Sequence, residues 1–213
     1  MPIQIGAKTH NFSNPTGLLS DCHRRIEMFL ASLEAVAAVI DRPASEETRR
    51  GLETALRYFN QAAPKHTADE EESLFPRLRQ NQSPEVQSAL SQLDRLEDEH
   101  RWAAPLHADV DLLGARYLLT GTLSAAEVER FRNAVASLAA LYKRHIIVED
   151  SVIFPLAARL LTPAEKMDIA GEMTSRRGVD AATDRFLNHV LLANVIPVQC
   201  RGRIEIHSEA SRH

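Results

Sequence analysis

Six side chains able to bind a transition metal recur in register along this chain. The stretch His66-Thr-Ala-Asp-Glu70-Glu-Glu-Ser-Leu-Phe75-Pro76 returns as His145-Ile-Ile-Val-Glu149-Asp-Ser-Val-Ile-Phe154-Pro155, an offset of 79 residues. Upstream of each copy, Leu19-Ser-Asp21-Cys-His23-Arg24 matches Leu96-Glu-Asp98-Glu-His100-Arg101 at an offset of 77. Helical residues four apart share a face, so His66 points with Glu70 and His145 with Glu149. Imidazole and carboxylate together are the donors of a redox-capable first-row metal, and two such helix pairs suggest two metals. Taken singly, each residue has a plainer explanation. A lone helix histidine is more often a hydrogen-bonded core residue, the acids from Asp69 to Glu72 read as a solvated face, Glu149-Asp150 as surface charge, and Phe-Pro as a helix-ending device. Jointly these explanations fail. His145 and Glu149 lie among Leu141, Ile146, Ile147, Val148, Val152 and Ile153, where a carboxylate needs a partner, and the same spacing stands in both halves.

Helices must position these residues, because glycine is scarce and sustained valine/isoleucine alternation is missing before the last few residues. A first helix is predicted from Asn14-Pro15 to about Ile40, where Asp41-Arg-Pro43 ends it. Ser45 with Glu46-Glu47 caps a second that carries His66 and Glu70 to about Leu78, kinked or interrupted at Pro64. Ser83-Pro84 opens a third that carries His100 to about Leu119 and bends at Pro105. A Ser124/Glu127 capping box starts the fourth, which runs through His145 and Glu149 to about Leu160. Thr162-Pro163 opens a shorter fifth, closed at Gly178. Long helices with short connections imply an all-α, up-and-down four-helix bundle over residues 13–160, an accessory helix over 161–178 and a C-terminal appendage over 179–213. Within that appendage, Asp184 to Asn194 could form one more helix.

Composition narrows the function classes. At 213 residues, 44% hydrophobic, the chain can bury a full core. A formal charge of −4, with arginines only in pairs, argues against nucleic acid as a partner. No apolar run reaches membrane-span length and no signal-peptide pattern opens the chain, so neither a membrane partner nor export is expected. Cys22 and Cys200 make no metal or disulfide spacing, and free thiols suit a reducing compartment, the cytoplasm. Cys22 is one residue from His23, about 100° around a helix, and is expected to face elsewhere. No nucleophile with its base, phosphate-cradling loop or nucleotide fingerprint is found.

Donor counting describes the centre. Four imidazoles and two bridging carboxylates give about eight donors, against about twelve positions on two six-coordinate metals, which leaves room for a bridging oxygen and exogenous ligands. Mixed nitrogen and oxygen ligation without thiolate suits iron or manganese rather than structural zinc. The ligand set leaves open whether the small ligand is oxygen, nitric oxide or peroxide.

The pattern of His23, His66-x-x-x-Glu70 with Leu74-Phe75-Pro76, His100, and His145-x-x-x-Glu149 with Ile153-Phe154-Pro155 resembles the hemerythrin-like (HHE cation-binding) family. The resemblance covers about residues 13–160. It implies a four-helix bundle around two non-haem iron ions, oxo- or hydroxo-bridged. It also implies that His23, His66, His100 and His145 are iron ligands and that Glu70 and Glu149 bridge the irons. The single histidine on the third helix resembles the bacterial di-iron members, including those linked to repair of nitrosatively damaged iron centres. Oxygen carriers of the family have a further histidine, but the position four after His100 is Ala104, and His107 is about 10 Å along the helix, too far for the same metal. The expected function is therefore binding or reaction with O2, NO or peroxide in sensing or stress defence. The alternatives are a di-iron enzyme (peroxidase- or catalase-like, or repairing iron centres) and an iron-responsive interaction module. Every matched ligand precedes Gly178, while the apolar run from Val190 to Val198 invites docking on the bundle or on a second copy, a route to homo-oligomers. A chain ending at Gly178 should accordingly keep two irons, measured by metal analysis; loss of iron would show that the tail closes the pocket.

Overall fold

The computed structural model describes residues 10–178, and among them there is helix and no strand. The expected appendage from Val179 onward lies outside the described residues. Helix α1 spans Pro15–Val39, with Pro15 in its first turn and the Asn14 side chain accepting a hydrogen bond from the Gly17 amide. Helix α2 spans Glu46–Gln61, capped by Ser45 and started by two acids at the positive end of its dipole. After one residue, Ala62, the chain continues as α3, Ala63–Ala68, a π-helical turn Asp69–Leu74, and α4, Phe75–Gln80. Helix α5 spans Pro84–Thr120 and α6 spans Ala125–Val148; a second π turn, Glu149–Ile153, leads into α7, Phe154–Leu160. Helix α8, Pro163–Arg176, starts with a Thr162/Glu165 capping box.

Pro64 interrupts rather than kinks. Lacking an N–H, it occupies the first turn of α3, where no intrahelical donor is needed, and the break falls at Ala62 (φ −102°, ψ −43°). Pro105 is absorbed inside α5, which runs through it as one element. The end of α5 needs Gly121, whose φ of 80° lies in the left-handed region and whose amide closes on the Tyr117 carbonyl.

The π turns are the departure from the expected unbroken helices. Pro76 and Pro155 cannot donate to the carbonyl four residues back, and their rings push against it. The preceding residue takes up the slack: the Phe75 amide donates to the Glu70 carbonyl and the Phe154 amide to the Glu149 carbonyl, each five residues back. Phe-Pro is therefore not a helix end. It widens one turn of each helix, and each widened turn contains one of the two glutamates.

Helices α1, α2, α5 and α6 form a ring in which α1 touches α2 and α6, and α5 touches the same two. The interior holds two separate apolar clusters. One includes Ile26, Leu33, Leu52, Phe59, Val110, Tyr117, Phe131 and Leu138; the other includes Leu19, Phe75, Val86, Leu93, Ile153, Phe154, Ile169 and Met173. Along the chain the change from one cluster to the other falls at the histidines and glutamates: His23 lies between Leu19 and Ile26, and His100 between Leu96 and Ala103. The fold thus encloses a polar layer between two greasy ones.

Helix α8 packs on α1 and on the first π turn. Arg77 makes a two-pronged ion pair with Glu172 at 3.1 and 2.7 Å. Fully buried Asp69 accepts from Arg176 Nη1 at 2.9 Å and from Arg177 Nη2 at 2.5 Å. These contacts brace the turn that carries Glu70. Asp69→Ala should leave two guanidiniums short of their acceptor and lower the unfolding free energy by about 2 kcal/mol in chemical denaturation. A loss within the ~0.5 kcal/mol of an ordinary surface substitution would show that α8 does not brace the turn.

Candidate metal centre

All six predicted residues come together in the polar layer. His23 and the two glutamates are fully enclosed, and His66 and His145 nearly so; His100 is the one with some access to solvent. Donor atoms of His23, His66, Glu70 and Glu149 lie within 4.8 Å of one another, and so do those of Glu70, His100, His145 and Glu149. The two groups share Glu70 and Glu149. Around them, His66 Nε2 is 3.0 Å from Glu70 Oε1, His23 Nε2 is 3.1 Å and His145 Nε2 3.2 Å from Glu149 Oε2, and His100 Nε2 is 3.6 Å from Glu70 Oε2. His100 Nε2 and His145 Nε2 stand 3.1 Å apart.

These short separations do not satisfy the atoms involved. His23 Nε2 and both carboxylate oxygens of Glu70 and of Glu149 are buried without a hydrogen-bond partner. Stranded polar atoms of this kind cost roughly 1–3 kcal/mol each, more for a charge, so their clustering at one point calls for a cation. The residues present fit a metal on that ground, with nitrogen and oxygen donors from four helical segments converging on one layer.

The outer faces of the imidazoles explain why the inner faces are free. His23 Nδ1 pairs with Asp150 Oδ1 at 3.0 Å, and Asp150 is itself held by Ser20 and Arg24 at 2.8 Å each. His100 Nδ1 pairs with Glu71 Oε1 at 2.7 Å, and His145 Nδ1 with Glu99 Oε2 at 3.1 Å. A carboxylate on Nδ1 fixes the tautomer and leaves Nε2 as the lone-pair donor. The Phe154 ring stacks on His23, 5.2 Å between centroids, so the Phe-Pro element also steadies a histidine. Sequence reasoning missed Asp150, Glu71 and Glu99. The two acids that follow the glutamates did leave a signal, since the 79-residue repeat aligns Glu70-Glu71 with Glu149-Asp150. Glu71 is not the bystander that its place in an acidic run implies, nor is Asp150 plain surface charge.

Burial and neighbouring charges shift the titratable groups of the layer in different directions. Burial, then the charges of Glu149 and Asp69, push the Glu70 carboxyl well above the ordinary range. Burial opposes ionisation of Glu149 too, but His145 and His23 outweigh it and hold this carboxyl well below the ordinary range. Burial and the neighbouring His23 lower His66. Burial also opposes protonation of His23, yet Asp150 and Glu149 lift it to about 9. The two buried carboxyls are thus pushed in opposite directions, as expected of neighbouring acids whose environments differ.

Two further residues are accounted for. His107, placed too far along α5, lies outside both donor groups; its Nε2 is 2.9 Å from the Tyr142 hydroxyl and its ring packs on Phe59. Cys22 is buried and free, outside both donor groups, with Arg25 Nη2 3.2 Å from its sulfur.

A helical bundle with a buried layer of imidazoles and carboxylates defines a cation-binding protein. The model of the hemerythrin HHE cation binding domain matches residues 14–157, and the chain belongs to that family. It is therefore a metal-binding protein of a family whose usual cation is iron. An uncharacterized protein of Haemophilus influenzae is 25% identical over 169 residues, covering 79% of this chain and 92% of that one. Among the described residues no helix is long and apolar enough to cross a membrane.

His107 supplies a pH prediction away from the donor groups. Burial lowers its pKa from 6.5 to about 4, so the unfolded chain binds the proton more readily between those values. Stability should be full above pH ~6.5 and fall, by up to about 3 kcal/mol, as pH drops toward 4. Denaturation of His107→Gln at a series of pH values should show a shallower decline over that window than the parent; parallel curves would refute the assignment.

Proposed function

We propose that the chain holds two non-haem irons, oxo- or hydroxo-bridged, and binds or reacts with O2, NO or peroxide in sensing or stress defence. In this reading His23 and His66 are ligands of one iron, His100 and His145 of the other, and Glu70 and Glu149 bridge the pair. The observation that carries it is the set of buried, unpartnered donor atoms on residues that the repeat had already singled out. Bound iron would supply redox chemistry and open positions for a small ligand. The protein's own residues orient the imidazoles through Asp150, Glu71 and Glu99 and keep water away with the two apolar clusters. Apolar clusters on both sides of the layer support a rigid site over a module that folds only with metal. The absence of thiolate among the six residues supports iron over a closed zinc site.

Turnover of peroxide is a second reading, supported by Tyr142. Its ring meets the His145 ring edge-on at 6.1 Å, and its hydroxyl has His107 Nε2, a base, at 2.9 Å. A phenol so placed would hold a proton beside the centre, with His107 as its hydrogen-bond partner. We place the protein in the cytoplasm on the strength of Cys22 and Cys200, which have no disulfide spacing. Self-association through residues 179–213 is proposed from their apolar run alone.

Metal analysis and absorption spectra of anaerobically purified protein, before and after oxygen, nitric oxide and peroxide, test the proposal. The expected result is about two irons per chain and a visible band that responds to one of the three ligands. Glu70→Ala and Glu149→Ala should each lose iron and the band. Glu71→Ala should loosen iron by about 10-fold or more without abolishing the site, because its carboxylate holds His100 from behind. Full iron and an unchanged spectrum in Glu70→Ala would refute the bridging role. Bleaching that reverses on ligand removal indicates a carrier or sensor, and continuous peroxide consumption indicates an enzyme.

A further inference from the structure

The repeat that pairs His23 with His100 at an offset of 77 also pairs Cys22 with Glu99. In the second half that position matters: Glu99 Oε2 lies 3.1 Å from His145 Nδ1, and Arg95 Nε holds the other oxygen at 3.1 Å. The counterpart of His145 in the first half is His66, whose Nδ1 is buried without a hydrogen-bond partner. Cys22 takes the place of that acid in the repeat, and its sulfur engages Arg25 and faces the Arg177 guanidinium. The packing is unequal as well. Tyr142, three before His145, meets that ring edge-on, while the residue three before His66 is Ala63.

The two donor groups therefore share their glutamates but not their support. Around His100 and His145, both imidazoles are backed by carboxylates, Glu71 and Glu99. Around His23 and His66, only His23 is, through Asp150, and the residue that matches Glu99 in the repeat is Cys22. A carboxylate behind a ligating imidazole fixes its tautomer and orientation and raises its basicity; losing one typically costs roughly 10- to 100-fold in metal affinity.

We infer that the two metal positions are unequal: the His100–His145 position binds a divalent cation more tightly and fills first, and the His23–His66 position is weaker and exchangeable because Cys22 replaces an acid. This rests on the two-metal reading above. Its consequence is a half-loaded form when metal is scarce, so that the second position responds to metal supply while the first stays filled.

Calorimetric titration of the full chain, freed of metal by chelation, with ferrous iron under anaerobic conditions tests the inference. Two steps are expected, separated by roughly 10- to 100-fold in affinity. Cys22→Glu should tighten the weaker step and draw the two together, whereas Cys22→Ser, which adds no carboxylate, should leave them apart. Should Cys22→Glu not fold, Glu99→Gln keeps the test open, because it preserves size and removes the charge behind His145. That variant should weaken the tighter step and spare the other. Two ions taken up in one step by the parent, or a Glu99→Gln variant that weakens only the second step, would overturn the inference alone. Saturation at one ion would overturn the two-metal reading and the inference with it.

Discussion

Two carboxylates buried side by side resist ionising together unless a positive charge lies between them, and the rest of this structure is arranged around that constraint. Glu70 and Glu149 are fully enclosed, with their oxygens unpartnered, in a layer between two apolar clusters. Replacing them with apolar residues would remove the conflict. The chain instead keeps them and surrounds them with four imidazoles, which makes sense in a protein of a cation-binding family.

Holding such a layer together requires backbone and side-chain devices outside the donors. The π turns widen the helix at the glutamates because a proline follows each turn and cannot donate four residues back. Carboxylates behind His23, His100 and His145 turn the lone pairs inward. Helix α8 grips the first π turn through Asp69 and Glu72, and α4 just beyond it through Glu172. Each device acts on a donor at one remove, which is how a helical scaffold reaches the tolerance that metal coordination demands.

Much of this was legible in the sequence, for identifiable reasons. The helices announce themselves through Ser45, Ser83, Ser124 and Thr162 caps, each of which accepts the expected amide in the structure. The six donors were legible because a duplication repeats them in register, so chance agreement is excluded in a way that a single His-x-x-x-Glu is not. The π turns were not, because propensity and periodicity describe the regular helix and Phe-Pro reads equally well as a stop. Glu71 and Asp150 were hidden inside acidic runs, where only the repeat could distinguish them from solvated charge. Glu99 was harder still: its counterpart is Cys22, so the duplication that reveals the other residues conceals this one. The fate of Pro64 depended on a one-residue break that no local signal specifies.

The central claim is that one buried layer holds two metals side by side, bridged by Glu70 and Glu149. X-ray absorption at the iron edge of the iron-loaded protein tests it most directly. Imidazole scattering together with a metal–metal shell at about 3.5–4 Å is expected. Iron surrounded by light atoms alone, with no neighbouring metal at saturating loading, would contradict it.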